Sequence, residues 1–269
     1  MKKEQNTEVG ICRISIASLR ERPDHQSSLV SQVFFGERVI FLKRKNKNWF
    51  KIRCHWDGVI GWIDPKQFYF SDQFDKIISL DSSTFSLEYI HGLSSEKSTI
   101  PIVLGSNLYN CDGLTVKMPF GKFQYSGQII DLKQSNFSRK LLVTIAKRYL
   151  HCPYLFGGRS ITGTDDSGFI QVAFKLIGLN VPRFPFQIAK YGEDVGFLKE
   201  AMPGDIALFG PDAHTINHIG LVLEDEKILH ANGRVKIDRL DHQGIYDLEL
   251  KKYTFKLRSI RRLFSEIDY

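Results

Sequence analysis

The stretch GTDDSGF, residues 163–169, sets an acidic pair where a glycine-rich run gives way to a helix-forming segment. A group at a helix N-terminus meets free N–H donors and the positive end of the helix dipole. These favour its ionised form and can stabilise an oxyanion. Asp166 holds that place. His218 opens the strand-like run HIGLVL, and His230 lies in ILHANG, 12 residues later (230 − 218 = 12), a distance that fits two strands and a turn. Histidines one hairpin apart can face each other across a strand pair, the first as a base and the second as the residue that orients it. The same pair also has a plain packing role open to it. A third reading is a metal site, because one carboxylate and two imidazoles form a ligand set used by non-haem iron and zinc.

These residues need elements to position them. SRKLLVTIAKRYLHC carries apolar residues at 142, 145, 146 and 149, which predicts a helix with Ser138 at its start. PYLFGGRSITGT is turn-rich, with Gly157, Gly158 and Gly163. In SGFIQVAFKLIG, Phe169, Val172, Ala173 and Leu176 share one face, and Gly178 suits the C-terminal cap. Asp166 reads as the N-cap of that helix, worth ~1 kcal/mol over alanine. PGDIALF, NHIGLVLED, KILHANG and RVKIDRL then read as strands. A helical half followed by an antiparallel half predicts an α+β domain over residues 131–269.

Ahead of it, residues 1–70 predict a small barrel of five short strands, with a turn at Asp57-Gly58 and the basic run FLKRKNKNWFK as a loop. Residues 71–130 are again β-rich with glycine turns and read as a second, degenerate barrel, without visible self-similarity to the first. The 269 residues are 42% hydrophobic and 25% charged, which excludes a wholly disordered chain. The net charge of +7 comes without a long Lys/Arg run or the interleaved aromatic and basic strand pattern of a nucleic-acid binder, so no nucleic-acid partner is expected. No apolar run approaches ~20 residues, and the first residues lack the apolar stretch of a signal peptide, so the expectation is a cytoplasmic protein without a membrane partner. Cysteines at 12, 54, 111 and 152 show no C-x-x-C spacing, which argues against a zinc or redox motif and for free thiols in a reducing compartment. The oligomeric state is not legible.

The order LRERP, FGERV, NWFKIR and DG-x-x-GWI resembles a bacterial SH3-like domain, in which Trp49 and Trp62 pack and Gly61 lets strands approach. PYLFGGRS, GTDDSGF, PGDIALF, HIGLVL and ILHANGRVKIDRL resemble the NlpC-type cell-wall peptidases, which are papain-like cysteine peptidases. With two SH3-like domains in front, the whole chain resembles the γ-D-glutamyl-L-diamino acid endopeptidases that trim murein peptides. The resemblance implies that His218 is the catalytic base, that His230 orients it and that Tyr154 helps form the oxyanion hole. It further implies that Asp165 holds the amino terminus of the substrate peptide, with Ser167 following it in the site. A murein peptide is the implied ligand, and no cofactor or metal is implied. In the family's geometry His218 lies between the other two groups, which suits a relay better than convergent metal ligands.

The departures are specific. The family's nucleophilic cysteine falls on Asp166. A tyrosine that reaches the substrate from the first barrel is Val59 here. The tryptophan of the family's YLWGG is Phe156, and RFPFQ, with Arg183, Phe184 and Phe186, stands where the family has an Asp-Ser pair. An aspartate attacking an amide would form a mixed anhydride, an uphill step that a thiolate avoids. Beside a histidine it tends instead to form an Asp⁻···HisH⁺ pair, which removes the base. Cys152 precedes the glycine loop and does not stand at the helix start. The expectation is a catalytically impaired or inactive homologue that still binds murein peptides. The alternative is an active hydrolase with an altered mechanism, or a cysteine replaced artificially.

Overall fold

The computed structural model describes residues 8–72, 83–212 and 215–263. Residues 1–7, part of the stretch read for a leader, and residues 73–82, at the start of the expected second barrel, lie outside the described residues. The fold is α+β, and the chain divides into two compact units, Met1–Ser135 and Asn136–Tyr269.

The first unit opens with seven antiparallel strands: β1 (Val9–Cys12), β2 (Ile16–Arg20), β3 (Leu29–Phe34), β4 (Arg38–Asn46), β5 (Trp49–Cys54), β6 (Ile60–Ile63) and β7 (Phe68–Ser71). Their order in the sheet is β3-β2-β6-β5-β4-β1-β7. These are seven strands where five were expected, and β1 and β2 are distinct elements. They separate because β1 pairs with β4 and β7, whereas β2 pairs with β3 and β6. The basic run expected as a loop is mostly strand: Lys43–Asn46 extend β4 along β5, exposed to solvent, and only the tip at 47–48 turns. Gly61 permits a close approach, since a Cβ there would lie 2.6 Å from Leu19 Cγ. Trp49 is buried against the His25 ring, with centroids 4.8 Å apart.

Residues 84–131 add β8 (Thr84–Ser86), β9 (Ile90–Ser94), β10 (Thr99–Val103), β11 (Asn107–Leu108), β12 (Thr115–Met118), β13 (Gly121–Gln124) and β14 (Ile129–Asp131). They form two sheets, β10-β9-β13-β12 and β11-β8-β14. One hydrophobic cluster joins them to the preceding strands: Val9, Ile11 and Phe35 pack with Leu93, Ile102, Leu108, Tyr109 and Phe123. The Tyr109 hydroxyl donates to the Gly36 carbonyl at 2.6 Å.

The second unit contains α1 (Arg139–Lys147), the short pair β15 (Arg159–Ser160) and β16 (Gly163–Thr164), α2 (Asp166–Lys175) and one turn of helix, α3 (Pro185–Ile188). The strands follow: β17 (Glu193–Asp194), β18 (Ile206–Phe209), β19 (His218–Val222), β20 (Lys227–Asn232), β21 (Arg234–Leu240), β22 (Gly244–Asp247) and β23 (Lys252–Arg262). The sheet runs β17-β23-β18-β19-β20-β21-β22, and β22 also pairs with β23, closing six strands into a barrel. Ser138 caps α1 by accepting from the Leu141 N–H. The expected cap of α2 is displaced by one residue. Asp165, in extended backbone, accepts from the Gly168 N–H, and Asp166 is the first helical residue. Nor does α2 bury a single face. All ten of its residues are buried, because it packs against α1, β15, β19 and β20. A helix enclosed on all sides is a core element, and each fully buried Phe, Ile or Val contributes about 1.5–3 kcal/mol. Asp205, wholly buried, pairs with Arg139 of α1 at 3.0 Å and Arg262 of β23 at 2.8 Å, pinning the first helix to the barrel. Among the described residues no helix is long and apolar enough to cross a membrane.

Candidate functional site

The first turn of α2, the glycine loop before it and the β19–β21 face of the barrel meet around buried charge. Asp166 is 7% exposed. Its Oδ2 lies 2.9 Å from His218 Nδ1 and accepts the Ile219 N–H at 3.0 Å, and its Oδ1 accepts the Ser167 N–H at 2.9 Å. The other His218 nitrogen, Nε2, lies 3.0 Å from His230 Nδ1. His230 opposes Gly220 in the β19–β20 ladder, so His218 reaches it on the diagonal, two residues along the same face. The missing side chain at 220 leaves room for this, since a Cβ there would sit 3.2 Å from that of His230. Phe255 of β23 stacks on the His218 ring at 3.8 Å and 15°, fixing its plane.

The string continues past the residues named from the sequence. His230 Nε2 lies 2.9 Å from Asp238 Oδ2, which also faces Lys236 Nζ at 3.1 Å, and Lys236 bonds Asp247 Oδ2 at 2.6 Å. All four side chains are buried. Burial works against the Asp238 charge, but hydrogen bonds from His230, the Leu248 N–H and Lys236 overcome it and hold the carboxyl down at about 2. Burial pushes His230 below the ordinary histidine value, with the Asp238 hydrogen bond opposing. Burial also opposes the Lys236 charge, but its bonds to Asp247 and Asp238 raise it above the ordinary lysine value. Asp238, Lys236 and Asp247 were not singled out in the sequence. The available signal was the Lys-x-Asp spacing in RVKIDRL. With a turn at Gly233, Lys236 falls directly opposite His230 and Asp238 falls on the diagonal of the same face.

Asp165 turns away from this string. Its Oδ1 accepts from the Gly168 N–H at 2.8 Å, Ser167 Oγ at 3.3 Å and Arg183 Nη1 at 2.9 Å. Its Oδ2 accepts from the Gly157 N–H at 2.9 Å and Arg183 Nη2 at 2.6 Å. Arg183 is 1% exposed and also donates to Ser167 Oγ and the Gly158 carbonyl. Both oxygens of Asp165 and the Ser167 hydroxyl are thus engaged inside the protein. The same clamp ties the glycine loop to the helix. Gly158 and Gly168 allow it, because a Cβ on Gly168 would lie 2.1 Å from the Gly158 carbonyl oxygen.

Tyr154 is 42% exposed, and its phenol is raised by partial burial and by the carboxylates of Asp166 and Asp165. Phe156 and Phe186 are exposed, and Phe186 stacks on Phe184 at 5.8 Å and 7°. Val59 belongs to the first unit, where it is buried in the turn between β5 and β6 and its N–H is accepted by Asp57 Oδ1 at 3.0 Å. Cys152 is buried, and burial pushes its thiol up to about 11, far from a thiolate at neutral pH. Asp166, His218 and His230 stand in series, each His218 nitrogen facing a different neighbour, and among the described residues no three metal-binding side chains converge.

A buried helix entering a closed antiparallel barrel, with an acid–His–His string between them, makes this an α+β domain built around one buried polar site. Residues 151–253 match the NlpC/P60 family, and residues 19–68 match the bacterial dipeptidyl-peptidase SH3 domain. The chain carries an NlpC/P60 domain together with a bacterial SH3 domain and is homologous to γ-D-glutamyl-L-lysine dipeptidyl-peptidases. It is 26% identical to the γ-D-glutamyl-L-lysine dipeptidyl-peptidase of Bacillus subtilis (strain 168) over 257 residues, 88% of this chain and 81% of that one. It is 24% identical to dipeptidyl-peptidase 6 of Lysinibacillus sphaericus, over 85% of this chain and 90% of that one. The crystal structure of an NlpC/P60 family protein from Bacillus cereus ATCC 10987 shares the fold at a TM-score of 0.78 and 19% identity, over 95% of this chain and 99% of that one.

Proposed function

We propose that this protein binds murein peptides of the L-Ala-γ-D-Glu-diamino acid type and is impaired in cleaving them. The homology to γ-D-glutamyl-L-lysine dipeptidyl-peptidases supports the ligand class. One observation carries the impairment: the contact of Asp166 Oδ2 with His218 Nδ1 at 2.9 Å. A cysteine-peptidase mechanism needs a thiolate at the helix start and an imidazolium that passes its proton to the leaving amine. Here a carboxylate occupies the position that the family resemblance assigns to the thiolate. Its attack on an amide would give an anhydride, which is less stable than its precursor. Both His218 nitrogens are engaged, Nδ1 against Asp166 and Nε2 against His230, which leaves neither turned to a water as base.

The second feature is Asp165. Its pairing with Arg183 leaves no free oxygen for a substrate amine. We therefore assign Asp165 and Ser167 to holding the helix start and glycine loop, and assign contact with a bound peptide to the exposed Tyr154, Phe156 and Phe186.

The test is incubation of the purified protein with L-Ala-γ-D-Glu-diamino acid tripeptide, with product followed by liquid chromatography and mass spectrometry and binding by calorimetry. Binding without product is expected. Clear turnover by the wild type that disappears in His218→Ala would overturn the impairment. Absence of binding would overturn the ligand class.

A further inference from the structure

The three contacts between Asp166 and Asp238 each require one proton. Asp166 Oδ2 faces His218 Nδ1, His218 Nε2 faces His230 Nδ1, and His230 Nε2 faces Asp238 Oδ2. Two neutral imidazoles carry only two protons. If neither held an extra one, two nitrogen lone pairs or a carboxylate and a lone pair would face each other at about 3 Å inside the protein, which is unfavourable in a buried setting. The string is therefore complete with three protons, and its direction depends on which end fixes the donors.

Both end carboxylates accept backbone N–H groups, Asp166 from Ser167 and Ile219, and what distinguishes Asp238 is a buried lysine beside it. Asp238 Oδ1 accepts the Leu248 N–H at 3.0 Å, and its Oδ2 faces Lys236 Nζ at 3.1 Å. Lys236 is itself anchored on Asp247, whose Oδ1 accepts the Glu249 and Leu250 N–H groups. These neighbours all donate, so they demand an acceptor at both Asp238 oxygens. Among the described residues no other carboxylate is seen against His230: from β19 it meets His218, from β21 Lys236 and Asp238, and from β23 the ring of Phe255.

We propose that Asp238, held in place by Lys236, Asp247 and the Leu248 N–H, is a positioning residue that fixes His230 as the Nε2–H tautomer and so sets the direction of the whole string. Lys236 stands directly opposite His230 in the β20–β21 ladder and disfavours a second positive charge on that ring, so with Nε2–H committed to Asp238, His230 Nδ1 is a lone pair. His218 then donates from Nε2 to His230, and because both Asp166 oxygens already accept backbone N–H groups, the third proton is assigned to His218 Nδ1, an imidazolium facing a carboxylate. The buried charges alternate from end to end: Asp247 negative, Lys236 positive, Asp238 negative, His218 positive, Asp166 negative. The proposal shares the site of the proposed function but is read independently of it, since tautomers are seen by NMR and catalysis by peptide release.

The substitution Asp238→Asn makes a directional test. The Leu248 N–H is fixed backbone, whereas Lys236 can keep its 2.6 Å bond to Asp247 and give up its contact with residue 238, so the amide oxygen stays on Leu248 and the NH₂ turns toward His230 Nε2. That nitrogen must become an acceptor, so His230 switches to the Nδ1–H tautomer and donates to His218 Nε2, leaving His218 neutral. In long-range ¹H–¹⁵N spectra of ¹⁵N-histidine protein at neutral pH, the wild type is expected to show His230 Nε2 as pyrrole-like and Nδ1 as pyridine-like, with both His218 nitrogens protonated. Asp238→Asn is expected to exchange the two His230 assignments and to move His218 Nε2 to the pyridine-like position. Asp238→Glu, which keeps the charge, is expected to retain the wild-type pattern. A wild-type His230 protonated at Nδ1 overturns the proposal, and that spectrum needs no variant, so a failure of Asp238→Asn to fold does not shield it. A folded Asp238→Asn protein with an unchanged His230 tautomer also overturns it.

Discussion

Asp166 Oδ2 and His218 Nδ1 lie 2.9 Å apart, with the first at the start of a buried helix and the second at the start of a barrel strand. This contact joins the helical half of the domain to its β half. It puts a carboxylate against the imidazole at the position where the family resemblance places a sulfur.

Replacing the carboxylate by a thiol tests what the surroundings can still do. Asp166→Cys places sulfur at a helix N-terminus beside His218, the setting that lowers a thiol pKa to ~3.5–7.5. Its alkylation by iodoacetamide at pH 6.5 is expected to run at least ~10-fold faster than that of the native cysteines. Cys12 and Cys152 are held up by burial at about 12 and about 11. Equal rates at all sites, measured by peptide mass mapping, would show that the helix start no longer activates a nucleophile.

The Asp165–Arg183 pair is buried and bidentate, so removing one partner strands the other. Arg183→Met is expected to cost about 3–5 kcal/mol in urea unfolding. Arg183→Lys should recover only part of this, because one ammonium cannot reproduce the planar fork that spans both carboxylate oxygens. Full recovery by lysine would mean that charge alone matters at this position.

Gly168 lies against the glycine loop. Gly168→Ala forces a methyl group to 2.1 Å from the Gly158 carbonyl oxygen, backbone that cannot yield cheaply. A loss of about 3 kcal/mol or more is expected. The check is the thermal midpoint, together with the near-ultraviolet circular dichroism of the aromatic core. An unchanged midpoint would place the loop farther from the helix than described.

Acid should destabilise the domain in two stages. His230 is lowered from its ordinary 6.5, mainly by burial, so the unfolded chain takes up a proton there before the folded one does. That contribution is present above about pH 6.5 and is lost as pH falls through the folded value. Asp238 is lowered from 3.8 to about 2 by His230, the Leu248 N–H and Lys236 against the opposing effect of burial. Its contribution is present above about pH 4 and is lost as pH falls toward 2. Urea midpoints measured from pH 8 to 3 should fall in both intervals. Asp238→Asn should flatten the lower one, and an identical slope in wild type and variant there would contradict the assignment.

Much of the second unit was legible from local pattern. Apolar spacing marked α1 and α2, and Ser138 marked the start of α1. The PGDIALF, HIGLVL, ILHANG and RVKIDRL runs became β18 to β21. These features depend on side-chain period and on backbone chemistry within a few residues, which a sequence displays directly. The N-cap was off by one because two adjacent aspartates are chemically equivalent as caps. Only the extended backbone of the first, with its bond to the Gly168 N–H, separates them.

The sequence by itself determined which groups could carry chemistry: Asp166 at a helix start and two histidines one hairpin apart. Tertiary structure decided how they are partnered. It turned Asp165 onto Arg183, 18 residues away, and placed Lys236 and Asp238 behind His230 through the register of the β20–β21 ladder. A strand's register, shifted by one residue, would send each of these side chains to the opposite face. Which buried charge meets which is therefore settled by how the barrel closes and where α2 enters it.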